Sequence, residues 1–381
     1  MDNSSNIKCL YCSYSYDSSL LAIGTETGYM IWKVNPFTLI TNRTLHGGIG
    51  HIEILRKTNI LALIGGGSYP NYPSEYVVFY DDKQAKSISK LKFKSTILKI
   101  KLGYKHLFVI FENKILIFNI ETLTEIDNID TVYDIKAIFA LSTNINFTMI
   151  AYPSLQTGKV IVKNINHSDN DQNNHYLEFW AHSSEIGCLG MSKDASLICT
   201  ASRNGTIIRV FNSITGKKGF EFRRGSDNAI IINLEFNWNN SFILCTSNKE
   251  TIHVFRMTIL NNQINKTNDD VVSLFSELNN TVASTTLTNI TFQDIDTHQG
   301  FLGSLKRYLI MPKVYITGQR SFAYYKHQTN RNTFCFFVND DSNEFILFNK
   351  NVTVLKRLKF DLEKGGIIKL SSNMNIINGN I

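Results

Sequence analysis

Short apolar runs recur along the chain, each ending near an aromatic or β-branched residue and usually preceded by glycine or a polar turn. They lie at Gly28–Val34, Tyr76–Tyr80, Lys114–Phe118, Lys159–Lys163, Thr206–Phe211, Thr251–Phe255 and Glu344–Phe348. The first six are spaced by about 37–48 residues, the period of four-stranded propeller blades. The last interval is about twice as long, which predicts an insertion in blade six. Ahead of several runs comes a polar turn, an apolar strand and a small-residue turn, as in Ser192-Lys-Asp-Ala-Ser-Leu-Ile-Cys-Thr-Ala-Ser-Arg-Asn-Gly205. This is the cadence of WD40-like repeats without the Trp-Asp dipeptide. The pattern predicts an all-β fold over residues 1–381: one seven-bladed β-propeller of four-stranded antiparallel blades. A β-sandwich, or a pair of β domains, accounts less well for the sustained period.

The expected insertion, residues 260–300, is polar and rich in Asn and Thr. Within it Val271, Leu274, Phe275 and Leu278 fall at i, i+3, i+4 and i+7, one face of a helix. Such a segment suits shallow insertion into a membrane, or packing back onto the propeller.

Composition agrees with a large packed core: of 381 residues, 43% are hydrophobic and 12% aromatic. The formal charge of +7 allows an anionic partner. No dense basic stripe with interleaved aromatics points to nucleic acid. No stretch resembles a signal peptide, and no apolar run reaches the length that spans a bilayer. Any membrane contact is therefore expected to be peripheral, by a soluble protein that is monomeric in solution.

The six cysteines are expected to be free thiols in a reducing compartment. Cys9 and Cys12 form a CxxC, but no second pair completes a zinc site. In a strand, positions i and i+3 should face opposite ways. No P-loop, GxSxG or HExxH is present, so neither an enzyme nor a cofactor is expected.

The sharpest local feature is Phe222-Arg223-Arg224-Gly225, which should lie on the outermost strand of blade five. Side chains alternate along a strand, so the two arginines should look to opposite sides. Each guanidinium presents a planar fork of donors suited to phosphate oxygens. On composition alone, an arginine pair on an edge strand reads as a solvated face. Two flanking clusters change that reading. His182, Ser202, Thr206 and Arg209 lie on the blade-five side, and Ser247, Thr251 and His253 on the blade-six side. Hydroxyls, an imidazole and a fixed positive charge are what a phosphomonoester needs.

Phe222–Gly225 resembles the FRRG motif of the PROPPIN family, WD40-type propellers of autophagy that bind phosphoinositides. The segments Ala201–Phe211, Ser247–Phe255, Gly47–Gly67 and Asn35-Pro36-Phe37 are similar to the family's shorter members. The resemblance implies two pockets for phosphatidylinositol 3-phosphate and phosphatidylinositol 3,5-bisphosphate. His182, Ser202, Thr206, Arg209 and Arg223 would line one; Arg224, Ser247, Thr251 and His253 would line the other. It also implies that residues 260–300 insert into the membrane surface, and that the protein recruits autophagy proteins, such as a lipid-transfer protein. Its place would be on preautophagosomal, endosomal or vacuolar membranes. The alternative is a protein-only scaffold without lipid dependence.

Overall fold

In the computed structural model, strands account for nearly every apolar run, and they assemble into seven sheets arranged as a β-propeller. The structure describes residues 8–142, 144–145, 148–165, 176–257, 319–327, 333–338, 343–349 and 354–375. Blades one to five take residues 9–44, 49–92, 99–130, 140–180 and 186–223, each as four antiparallel strands in chain order. Blade six pairs Ile231–Phe236, Phe242–Ser247, Thr251–Arg256 and Ala323–Lys326. Blade seven pairs Thr333–Phe337, Glu344–Asn349, Val354–Lys359 and Lys369–Asn375.

Six of the seven recurring runs become the third strand of their blade. The seventh, Glu344–Phe348, is the second strand of blade seven. Second and third strands are equally buried in a stack of blades, so an apolar run alone does not tell them apart. Blade six also gains a short fifth strand. Gly366–Ile367 pairs in parallel with Ala323 and Tyr324, covering an edge that would otherwise expose its backbone groups.

The turns between first and second strands repeat one device in blades one, five and six. Asp17 accepts from the Ser15 hydroxyl at 2.7 Å and the Ser19 amide at 3.2 Å. Asp194 does the same for Ser192 and Ser196, and the Asn239 side chain accepts from the Ser241 amide. Ser18, Ala195 and Asn240 each take positive φ there. The short polar side chain thus substitutes for backbone pairing at the reversal.

The two cysteines of the CxxC do not face opposite ways. A bulge between Cys9 and Tyr11 adds a residue and resets the alternation. Both sulfurs consequently pack against the same apolar cluster, and none of the six cysteines forms a disulfide among the described residues.

Each blade is apolar on both faces, and the core is a series of seams between neighbours. Blade five sends Ile208, Val210, Phe220 and Phe222 into the seam with blade six, where they meet Ile243, Cys245 and Phe255. Its other face sends Ile198 and Phe211 towards Val160 and Val162 of blade four. The ring closes where Leu21, Ile23, Met30 and Trp32 of blade one meet Phe336, Ile346, Phe348 and Leu355 of blade seven. No strand among the described residues is shared between these two blades, so side-chain packing makes the closure. Near the axis Lys193 of blade five donates to the Ser18 hydroxyl of blade one at 3.0 Å.

Truncating Phe348, which is fully buried in this closing seam, should therefore cost about 3–5 kcal/mol. Leu39→Ala, on an exposed outer strand, should cost no more than about 0.5 kcal/mol. Urea unfolding of both variants measures the difference, and equal costs would show that the seam does not hold the ring.

Candidate functional site

The outermost strand of blade five, Lys218–Arg223, carries the first two residues of the motif. Phe222 fixes its register. The ring is fully buried, lies 5.1 Å from Phe255 of blade six and stacks 5.9 Å from Phe220. With Phe220 and Phe222 turned towards blade six, alternation turns Glu221 and Arg223 towards blade four.

Arg223 is exposed, and its guanidinium has no described partner. Its backbone is held, however. The amide donates to the Gln319 carbonyl at 2.9 Å, where Gln319 forms a parallel bridge with Phe222. The chain returning to blade six thus docks on the motif's own strand.

Arg224, just past the strand, is buried, unlike the solvated face that an arginine pair on an edge strand suggests on composition alone. Its Nε donates to the Gly205 carbonyl at 2.5 Å, and a terminal nitrogen donates to the Asp227 carbonyl. Its backbone amide donates to the Thr206 carbonyl at 2.9 Å. Gly205 has φ +61, and a Cβ there would stand 1.9 Å from the Ala229 carbonyl oxygen. Only glycine lets the two loops close around the guanidinium. Gly225 has open space around it, and nothing in the structure explains it.

On the side facing blade four, His182, Ser202, Arg209 and Arg223 share one seam. His182 is buried, its Nε2 2.8 Å from the Thr200 hydroxyl. Burial, reinforced by the charge of Arg209, pushes the His182 imidazole down to about 4, so it is neutral near pH 7. Gly158 holds its backbone: the His182 amide donates to the Gly158 carbonyl at 3.0 Å. Arg209 donates to the Ala181 carbonyl at 2.7 Å and, through Nε, to Glu221 at 2.8 Å. Lys218 completes this ion pair at 3.0 Å. Burial alone would raise the Glu221 carboxyl, but the bonds from Arg209 and Lys218 outweigh it and hold it below its ordinary value. Arg203 lies outside the cluster, paired with Glu185 at 2.6 Å.

On the blade-six side, Cys245 and Phe255 mark the face turned towards blade five. By alternation Ser247, Thr251 and His253 share it. His253 lies opposite Cys245 in the ladder, 6.0 Å from the Phe255 ring, and its Nδ1 is buried without a described partner. Burial and then the Arg224 charge push this imidazole down to about 4 as well. Burial likewise lowers the Arg224 guanidinium from its ordinary value.

Of the nine expected site residues, His182, Ser202, Arg209 and Arg223 lie in the seam with blade four, and Arg224, Ser247, Thr251 and His253 in the seam between blades five and six. Thr206 reaches the site through its backbone and belongs with Arg224 rather than with the blade-four seam. Val271, Leu274, Phe275 and Leu278 lie outside the described residues. Thr200, Glu221, Gly158, Gly205 and Asp227 were not anticipated. Glu221, two positions before Arg223, was readable from alternation; the carbonyl clasp was not. Among the described residues no three His, Cys, Asp or Glu side chains could jointly hold a metal. No described helix is long and apolar enough to cross a membrane.

The fold and the arginine pair define a β-propeller with two adjacent cationic seams on one rim. The PROPPIN family model matches residues 7–309, and the chain belongs to the PROPPIN family. It is 31% identical over 246 residues to SVP1-like protein 2 of Schizosaccharomyces pombe, covering 64% of this chain and 66% of that protein. It is 28% identical over 279 residues to Autophagy-related protein 18 of Komagataella pastoris, covering 65% of this chain and 51% of the relative. The chain thus spans about half to two thirds of these relatives' lengths. Among solved structures, Kluyveromyces lactis Hsv2 superposes with a TM-score of 0.72 at 17% identity, covering 97% of this chain and 99% of that one.

Both histidines bind protons less readily in the folded chain than in the unfolded one. Their stabilising effect is complete above the ordinary imidazole value of 6.5 and is lost as pH falls towards about 4. Buried Glu235, raised to about 7, gives the opposite slope over part of this range, so variants must be compared with wild type. The melting temperature of His182→Gln/His253→Gln should fall less between pH 7 and pH 5 than that of wild type. Parallel curves would remove the histidines from the pH response.

Proposed function

We propose that the protein is a non-enzymatic membrane effector that reads phosphatidylinositol 3-phosphate and phosphatidylinositol 3,5-bisphosphate through the two seams beside blade five. The observation that carries this reading is the split of the arginine pair: Arg223 towards blade four, Arg224 towards blade six, each seam also holding a neutral histidine, His182 buried and His253 half-buried. A phosphomonoester arriving there finds guanidinium donors, hydroxyls of Ser202 or Ser247, and an imidazole able to take up a proton beside the new negative charge.

In this reading residues 260–300 supply a third membrane contact, with Val271, Leu274, Phe275 and Leu278 entering the headgroup region. The described ends favour it. Arg256 and Ala323 flank the segment on blade six, and Gln319 bonds to Arg223. Two weak pockets and one insertion on the same rim act as a multivalent contact. The cellular role is recruitment of autophagy proteins, such as a lipid-transfer protein, to the membrane that forms the autophagosome. The protein is placed in the cytoplasm and peripherally on preautophagosomal, endosomal or vacuolar membranes.

Vesicle flotation tests this. Wild type should float with phosphatidylinositol 3-phosphate and not with phosphatidylinositol, and less at higher salt because charge pairing is screened. Arg223→Thr should weaken flotation at an unchanged melting temperature, since the side chain has no described partner. Arg224→Thr should weaken it too, with a stability loss of about 1–3 kcal/mol from two carbonyls left without a donor. Flotation indifferent to both arginines would favour the protein-only scaffold.

A further inference from the structure

The two seams are not equivalent in charge. On the blade-four side, Arg209 already has an anion: Glu221 accepts from its Nε at 2.8 Å and from Lys218 at 3.0 Å. This carboxylate stands opposite Arg209 in the strand ladder and on the same strand face as Arg223. An entering phosphate must therefore share or displace a bound carboxylate, and it meets that carboxylate's repulsion. On the blade-six side, Arg224 bonds two neutral carbonyls, Gly205 and Asp227; the Asp227 carboxylate acts on it through space but makes no bond to it among the described contacts. Carbonyl oxygens orient a guanidinium without cancelling its charge. Beside it, the buried Nδ1 of His253 has no described partner, a cost that a ligand could relieve.

We propose that Glu221 is a specificity-determining residue that occupies the blade-four-side pocket as an internal counter-ion, so that the blade-six pocket binds a phosphorylated inositol head group more tightly. This rests on the phosphoinositide reading above and adds an order of occupancy to it. The blade-six seam fills first, and the Glu221 seam fills when the membrane raises the local head-group concentration.

Calorimetric titration with soluble inositol 1,3-bisphosphate tests the assignment. Wild type should show two unequal sites. Glu221→Gln, of nearly the same shape, should tighten the weaker site about fivefold, the upper range for one partly exposed ion pair, and leave the tighter site unchanged. Glu221→Asp, which keeps the charge, should leave both sites near wild type, and it guards against a folding artefact, read by melting temperature. Inorganic phosphate titrated in parallel separates a head group from a bare anion: tighter binding of the bisphosphate supports the proposal, and equal affinity overturns it. Two sites in wild type with neither changed by Glu221→Gln would overturn this inference and leave the phosphoinositide reading standing. No binding by wild type would overturn the reading beneath it, and this inference with it.

Discussion

Every blade is buried on both faces, and this constraint governs the site as much as the core. An inner strand in such a stack has no solvent face, and even the more exposed outermost strand turns successive side chains to alternate seams. Each side chain is committed to one seam or the other by the alternation of the pleat. Phe222 has nowhere to go but the seam with blade six, where it meets Phe255. Once it is there, Arg223 must face blade four, and Arg224 must return to the blade-six side. A one-residue slip would exchange the arginines between pockets and expose a phenylalanine. The aromatic residue is thus the part of the motif that aims the other two.

Burying Arg224 is costly unless its donors are satisfied. The fold meets that cost with the main chain. Gly205 turns its carbonyl towards the guanidinium at positive φ, and the loop after the strand supplies the Asp227 carbonyl. Neutral acceptors leave the positive charge available. Arg209, by contrast, is balanced by a carboxylate on the neighbouring strand. Two arginines in equivalent-looking clusters thus have different electrostatic surroundings, and the difference comes from what holds them.

Much of this was legible in the sequence. The repeat period, the number of blades and the division of the arginine pair all follow from periodicity, because period two and blade length are properties of the chain itself. Phase and partners were harder. Glu344–Phe348 was read in step with the third strands and proved to be a second strand, since both are apolar on two faces. Cys9 and Cys12 share a face because a bulge resets alternation, and no residue type announces a bulge at that position. The burial of Arg224 depends on carbonyls 19 residues back in the chain and 3 residues ahead. Backbone acceptors have no sequence signature, and a clasp made of them shows only in three dimensions.

Closure of the ring bears on the site from a distance. Blades one and seven meet by side-chain packing alone among the described residues, so no strand pairing locks the last blade to the first. The C-terminal part of the chain compensates along the rim, where Gly366 and Ile367 add to the edge of blade six. Gln319 likewise adds to the edge of blade five at Phe222 and Arg223. The outer edges of both blades that carry arginine or histidine for the site are therefore covered by backbone from later in the chain. An outermost strand held only by its inner neighbour would fray most readily at its end. Here that end carries Arg223, and the Gln319 carbonyl ties it down, so the position of one cationic group depends on the chain that returns to blade six.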